Sequence, residues 1–406
     1  MRIMGAASAA ATSFPALAAI QQGAAAAPAQ GAGRRGFGSD MGEMRKINAE
    51  TVIISSNENP LGPAQSALAA ISKTAPMGGR YHMDVTMETV KTINEQYGLK
   101  KGYVALTPGS GGPLDLALMS NIGPDKPLVY GDPSYEQGFR AAETMKAPKV
   151  PVPLTATYAH DVKAMLKAHP SPGAYYIVNP NNPTGTMTPR EDILWLLKNK
   201  PAGSVVIVDE AYFHFSDHES VLDQVAADQD IIVLRTFSKI YGMAGIRAGY
   251  AAARPDLLAK FNTVAAPARS LASISIVSAA AVTASMTDKE LVPLRRKINT
   301  DVRNDTLEFL TKHNYKIVPG SQANMFMVDV KRPGREFMGQ MLKENVAIGR
   351  SWNAMPNYVR VTVGTKEEMA KFQTAFVKCM DVAPGTVNGA SLHLPEHMVP
   401  SELYRG

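Results

Sequence analysis

Between residues 103 and 253 the chain alternates short apolar runs with amphipathic stretches. The runs lie at 104–107, 128–130, 175–178, 205–209 and 231–234, bounded by Gly, Pro, Asn and Asp. Runs of this length and framing predict buried strands. Between them, 114–121, 135–144, 161–168 and 189–199 carry apolar residues at helical spacing. Strand and helix in alternation predict an α/β fold with a mainly parallel, doubly wound sheet covered on both faces. Such sheets bind ligands at the C-terminal edges of their strands, so the polar residues after each run are the place to look.

Several of those ends are loaded. The first run leads into Pro108-Gly109-Ser110-Gly111-Gly112 and then a helix, where backbone N–H groups and the helix N-terminus suit an anion. This loop fits neither the P-loop nor the dinucleotide spacing, and on its own it reads better as a tight turn. The run at 175–178 leads into Asn179-Pro180-Asn181-Asn182-Pro183-Thr184-Gly185, a rigid turn presenting three side-chain amides. The next run delivers Asp209, with Glu210 and Tyr212 just beyond. A buried strand-end carboxylate needs a cationic or donor partner, unless it caps a helix. The run at 231–234 leads into Thr236-Phe237-Ser238-Lys239, with Arg247 among the glycines eight residues further on. One lysine would read as surface, but a lysine with these neighbours forms a set.

The rest of the chain adds limits. With 406 residues, 45% hydrophobic and 19% charged, it can bury a sizeable core and is not disordered throughout. The single cysteine, Cys379, excludes an internal disulfide. A formal charge of +6 permits an acidic substrate and does not argue for nucleic acid. The first thirty residues hold thirteen alanines and one charge, at Arg2, a targeting candidate too polar and broken to span a membrane. Export to the periplasm is the favoured expectation over a low-complexity extension of a cytoplasmic protein. Gly33-Arg34-Arg35-Gly36-Phe37 has no apolar run behind it and reads as linker. His393-Leu394-Pro395-Glu396-His397 matches a zinc pattern that needs a helix, which Pro395 opposes, so no metal is expected.

Taken together, Asn179 through Gly185, Asp209-Glu210-Ala211-Tyr212 and Ser238-Lys239 through Arg247-Ala248-Gly249 resemble the class I/II aminotransferases of PLP fold type I. The resemblance covers about 48–380. Within that group, Ser56-Asn57-Glu58-Asn59-Pro60-Leu61-Gly62-Pro63, Arg80-Tyr81 and Val359-Arg360-Val361-Thr362-Val363-Gly364-Thr365 are similar to the histidinol-phosphate aminotransferase branch. The resemblance implies pyridoxal 5'-phosphate as cofactor, held by Lys239 as a Schiff base. Released, the same amine serves as base and acid. Asp209 would pair with the pyridine nitrogen, Asn182 and Tyr212 with the ring oxygen, and Tyr135 would stack on the ring. Ser110, Gly111, Thr236, Ser238 and Arg247 would hold the phosphate. Arg360 and Arg350 would bind the substrate's anionic groups, and Tyr81 would reach the neighbouring site of a homodimer.

The implied organisation is a leader and linker at 1–44, a large cofactor-binding domain at 76–310, a small α+β domain from 45–75 and 311–380, and an extension at 381–406. The implied reaction is transamination between a small-molecule amino donor and a 2-oxo acid, with histidinol phosphate and 2-oxoglutarate as the favoured pair. The alternatives are an aromatic or broad-specificity aminotransferase and a PLP-dependent decarboxylase or lyase, which share every cofactor contact. A regulatory PLP- or nucleic-acid-binding protein would need a DNA-reading module, and neither end of the chain looks like one. Ser110-Gly111-Gly112-Pro113 and His82-Met83-Asp84 depart from the branch's pattern, which bears on the phosphorylated substrate rather than on the cofactor.

Overall fold

The computed structural model describes Asn48, residues 50–264 and residues 274–383. In chain order its strands are β1 (Val52–Ile54), β2 (Val104–Thr107), β3 (Leu128–Asp132), β4 (Lys149–Pro153), β5 (Ala174–Val178) and β6 (Val205–Asp209). They continue with β7 (Ile231–Thr236), β8 (Gly249–Ala252), β9 (Met325–Asp329), β10 (Val346–Ile348) and β11 (Tyr358–Thr362). The main sheet has seven strands in the order β2-β8-β7-β6-β5-β3-β4. It is parallel from β4 to β7, and β8 runs antiparallel to both β2 and β7.

All five expected strands form, and their unbroken apolar runs have a physical reason. Tyr175, Ile177, Val206, Val208 and Val233 face one buried cluster, while Tyr176, Val178, Ile207, Ile232 and Leu234 face another. With both faces covered, alternate residues all need to be apolar. Two strands of the main sheet have no counterpart in the sequence reading. The sequence of β4, Lys-Val-Pro-Val-Pro, looks broken, yet the strand lies at the sheet edge, where proline is tolerated. The four residues of β8 are Gly-Tyr-Ala-Ala, too short and small for a strand signal.

Two helix starts shift. The helix Gly111–Met119 begins ahead of Pro113, which is tolerated where first-turn N–H groups have no partner anyway. The helix Gly138–Thr144 begins late, leaving residues 135–137 as a connecting segment.

A second core gathers Val52, Ile54, Phe326, Val328, Phe337, Val359, Phe372 and Phe376. It is built on the parallel β1–β10 pair and the antiparallel β9–β11 pair, under the helices Gly334–Lys343 and Lys366–Asp381. The long helix Leu291–Lys312 serves both cores, with Leu291 in the first and Leu310 in the second. The segment 45–75 is likewise divided. Val52 and Ile54 belong to the second core, whereas Ala67, on the helix Gln65–Thr74, packs in the first against the helix Ile276–Thr287. The change of partner thus falls between residues 54 and 67 rather than at 75.

The expected export leader at 1–44, the arginine pair at 34–35, the histidine pattern at 393–397 and all but three residues of the 381–406 extension lie outside the described residues. Among the described residues no helix is long and apolar enough to cross a membrane.

Candidate active site

Three parallel strands end side by side and carry the chemistry. Val178 is in register with Asp209, and Asp209 with Leu234, so the turn after β5, the end of β6 and the segment after β7 share one edge. Glu210 extends the match by donating its N–H to Leu234 O at 2.9 Å. Lys239 Nζ donates to Ser56 O at 3.2 Å and sits 5.5 Å from the centre of the Tyr212 ring. Asp209 is buried and accepts from Tyr176 Oη at 3.3 Å and Ala211 N at 3.0 Å. Burial pushes its carboxyl up to about 6, against the pull of those two donors and of Lys239; Glu210 adds slightly to the rise. A carboxylate raised in this way gains most from a cationic partner at its free edge.

Of the three amides expected from the turn, the structure turns only one toward the site. Asn179 is committed to Thr188, accepting from its N–H at 2.8 Å and donating to its carbonyl at 3.1 Å. Asn181 ties the turn to itself and to Pro133 and Ser134. These bonds give the rigidity, and Asn182 is left to act: Nδ2 approaches Tyr212 Oη at 3.4 Å and Oδ1 accepts from Arg360 Nη1 at 2.8 Å. Tyr212 Oη also accepts from Asn57 Nδ2 at 3.0 Å. Asn57 is fully buried, and its side-chain oxygen accepts from Thr362 Oγ1 at 3.0 Å.

Arg360, on β11, is buried and donates from Nη2 to Ser55 O at 2.5 Å. Its Nε is buried and meets no acceptor among the described residues. Burial pushes the guanidinium down to about 10; Tyr212 opposes the fall, Arg350 deepens it and Tyr135 opposes it again. A buried guanidinium with an unmet N–H is a receptor for an anion.

The glycine loop packs on Arg247. Gly109 has φ +88°, and a Cβ there would lie 2.5 Å from Arg247 Nη2. A Cβ on Gly111 would lie 2.7 Å from Gln137 Nε2, a side-chain end that can shift, so it is Gly109, with its positive φ, that requires glycine. Ser110 stands at the N-terminus of the helix Gly111–Met119. Arg247 has φ +61°, rare for a residue with a side chain, and its Nη1 reaches Ser238 Oγ at 3.5 Å and Ala244 O at 2.9 Å. Thr236 Oγ1 donates to Ser238 Oγ at 2.9 Å. The glycine loop and the Ser238 hydroxyl thus both meet the Arg247 guanidinium, and Thr236 joins them through Ser238.

Tyr135 is half-buried, and its hydroxyl donates to Gln137 Oε1 at 2.6 Å. Burial holds that phenol well above the usual tyrosine range, with Tyr212 and Asp209 adding to the effect. Gln137 Nε2 lies 3.4 Å from Asp115, whose carboxyl burial pushes up to about 6. Arg350 and Arg360 flank one indole, their guanidinium carbons 4.3 Å and 5.5 Å from the Trp352 ring. Tyr81 alone stands apart, 91% exposed on the stretch before the helix Met83–Tyr97.

Sequence reasoning missed Asn57, Tyr176, Glu136 and Trp352. Asn57 lies inside the stretch 56–63 already singled out, and Trp352 is one of two tryptophans in the chain. Tyr176 had no signal, because it reads as one more apolar residue of β5.

Pyridoxal phosphate requires an amine for its aldehyde, an acid for its ring nitrogen and a cluster of donors for its phosphate. Lys239, Asp209 and the Ser110–Ser238–Arg247 convergence offer those groups, so the donor set fits. The profile of the family described as "Aminotransferase class I and II" matches residues 49–376. A histidinol-phosphate aminotransferase of Moorella thermoacetica is 30% identical over 342 residues, covering 81% of this chain and 85% of the relative. An aromatic amino acid aminotransferase of Cutibacterium acnes is 30% identical over 323 residues, 78% of this chain and 89% of that protein. The histidinol-phosphate aminotransferase of Sinorhizobium meliloti, solved in complex with pyridoxal 5'-phosphate, shares the fold with a TM-score of 0.74 at 20% identity, covering 83% of this chain and 93% of that one. The chain is a fold-type-I transaminase that uses pyridoxal 5'-phosphate and belongs to the class I and II aminotransferases.

Proposed function

We propose that this enzyme transfers the amino group of histidinol phosphate to 2-oxoglutarate. The observation that carries the reading is the pair of arginines on one indole, Arg350 and Arg360, with Arg360 keeping a buried N–H unmet and bonded through Asn182 to Tyr212, over whose ring Lys239 lies. A donor with an anionic end has two guanidinium groups to meet there. Several relatives about 30% identical over most of their length carry the histidinol-phosphate name, which supports the same substrate.

When bound, pyridoxal phosphate supplies the electron sink that makes the substrate's α-proton removable. In this reading Lys239 would hold the cofactor through its aldehyde group, and its flexible amine would serve as the base for the substrate's α-proton. Asp209 would pair with the ring nitrogen and favour its protonated form. Its raised pKa is the cost of burial that a cationic partner offsets. Asn182 and Tyr212, whose Nδ2 and Oη approach to 3.4 Å, would hold the ring oxygen, and Tyr135 would pack on the ring. Ser110 and Gly111 with Thr236, Ser238 and Arg247 would hold the phosphate.

The reading includes a homodimer in which Tyr81 completes the neighbouring site. Its support is that Tyr81 is 91% exposed, with Met83 at 62% and Met87 at 63% close by on the same stretch of chain. Apolar surface of that kind is suited to a partner.

Arg350 is already engaged by Glu136, and a relative bears the aromatic name, which favours a second reading with phenylalanine-like donors. Steady-state turnover separates the two. Histidinol phosphate should exceed phenylalanine, aspartate and glutamate in kcat/KM. Turnover of phenylalanine without histidinol phosphate would replace the first reading with the second.

A further inference from the structure

The outer arginine carries an internal counter-ion. Arg350 Nη2 lies 2.5 Å from Glu136 Oε2, and both side chains are only partly exposed, 26% and 34%. They come from different parts of the fold. Glu136 follows Tyr135 on the segment between β3 and the helix Gly138–Thr144, whereas Arg350 follows β10. Two bonds hold them in register: Trp352 Nε1 donates to Ser134 O at 3.1 Å, and Arg360 N donates to Arg350 O at 3.1 Å. The guanidinium is further fixed by its stack on Trp352, 4.3 Å away. A carboxylate delivered so directly to a preset fork is a competitor for any substrate anion that approaches the same fork.

We propose that Glu136 is a specificity-determining residue that occupies Arg350 until a substrate anion displaces it. The proposal rests on Arg350 facing the substrate, as in the function above. One guanidinium edge accepts one carboxylate or phosphate in the forked geometry, and the displaced Glu136 would then repel the newcomer across a few ångströms. The pair therefore weakens donors and acceptors with a phosphate or second carboxylate at Arg350 relative to donors with an uncharged end. A neutral aromatic end leaves Glu136 in place and incurs no such penalty. The enzyme is thereby set to accept both classes rather than to exclude the uncharged one.

The test is Glu136→Gln, which keeps the shape and removes the charge. Inorganic phosphate titrated calorimetrically into the cofactor-loaded enzyme should bind about tenfold tighter to Glu136→Gln than to the wild type. The gain should vanish in Glu136→Gln/Arg350→Gln, and Glu136→Asp, a shortened carboxylate, should fall between the two. In parallel, the ratio of kcat/KM for glutamate to that for phenylalanine should rise by a similar factor in Glu136→Gln. Unchanged or weaker phosphate binding in Glu136→Gln, or a gain that survives the loss of Arg350, would overturn the proposal. Failure of the histidinol-phosphate assignment has a separate signature, namely no turnover of that donor by the wild type whatever the phosphate titration gives.

Discussion

Directly behind the site lies a buried ion pair whose loss can be costed from the structure. Arg235, on β7, donates from Nε and Nη2 to Glu210 Oε2 at 2.9 and 2.7 Å, and from Nη2 to Ser220 Oγ at 2.8 Å. Its guanidinium also lies 4.7 Å from the Tyr97 ring and 4.5 Å from the Phe213 ring. Arg235 is 1% exposed and Glu210 3%. Burial alone would push the guanidinium down, and Glu210 reverses this, holding it above the usual arginine range. Arg235→Met removes the cationic partner of a buried carboxylate, leaving it only the Ser220 hydroxyl and the Val221 N–H as neutral donors. The expected cost is about 3–5 kcal/mol, the usual penalty for orphaning one member of a buried pair.

Removing both charges should cost less than the two single changes together. In Arg235→Met/Glu210→Leu the desolvated carboxylate is gone, so a coupling energy of at least about 2 kcal/mol is expected. Urea unfolding of the two single variants and the double variant, followed by circular dichroism, measures all three terms. The pair also matters for chemistry. Glu210 and Arg235 neighbour Asp209 and Thr236, and loosening them should weaken cofactor binding as well. A loss below about 1 kcal/mol in Arg235→Met, or strict additivity in the double variant, would refute the reasoning.

Two further outcomes follow from the site. Burial holds the Asp209 carboxyl at about 6 against an ordinary 3.8, so the folded protein keeps a proton that the unfolded chain releases between those values. Cofactor-free protein should therefore lose about 3 kcal/mol of stability from this residue as pH rises from 4 to above 6, and Asp209→Asn should abolish that part of the slope. An unchanged slope in unfolding experiments across this range would contradict the burial argument. Gly109→Ala places a Cβ 2.5 Å from Arg247 Nη2 at φ +88°, and should raise the cofactor's dissociation constant by about tenfold or more in a fluorescence titration. A change below about twofold would remove Arg247 and the glycine loop from the phosphate's surroundings.

How much of this was legible in the sequence depends on how local each signal is. Strands β5, β6 and β7 announce themselves because burial on both faces makes every residue apolar. Asp209, Asn182 and Lys239 could be placed because each lies at, or within five residues of, the end of such a run. The strand β4 was hidden by prolines that only an edge position explains, and an edge is a property of the whole sheet. Asn57, Glu136 and Trp352 escaped for the same reason. Their roles come from partners 155, 214 and 218 positions away in the chain, a separation that no local pattern encodes. The three amides at 179–182 show the reverse error, since local spacing cannot tell which of them the turn uses for its own bonds.

The central claim is that Lys239 carries the cofactor while Asp209, on the neighbouring strand end, faces its ring. Borohydride reduction of the cofactor-loaded protein, followed by peptide mass spectrometry, tests it most directly. The expected result is a phosphopyridoxyl group on the peptide containing Lys239 and no such label in Lys239→Ala. A label on another lysine of the wild type, or none at all, would contradict it.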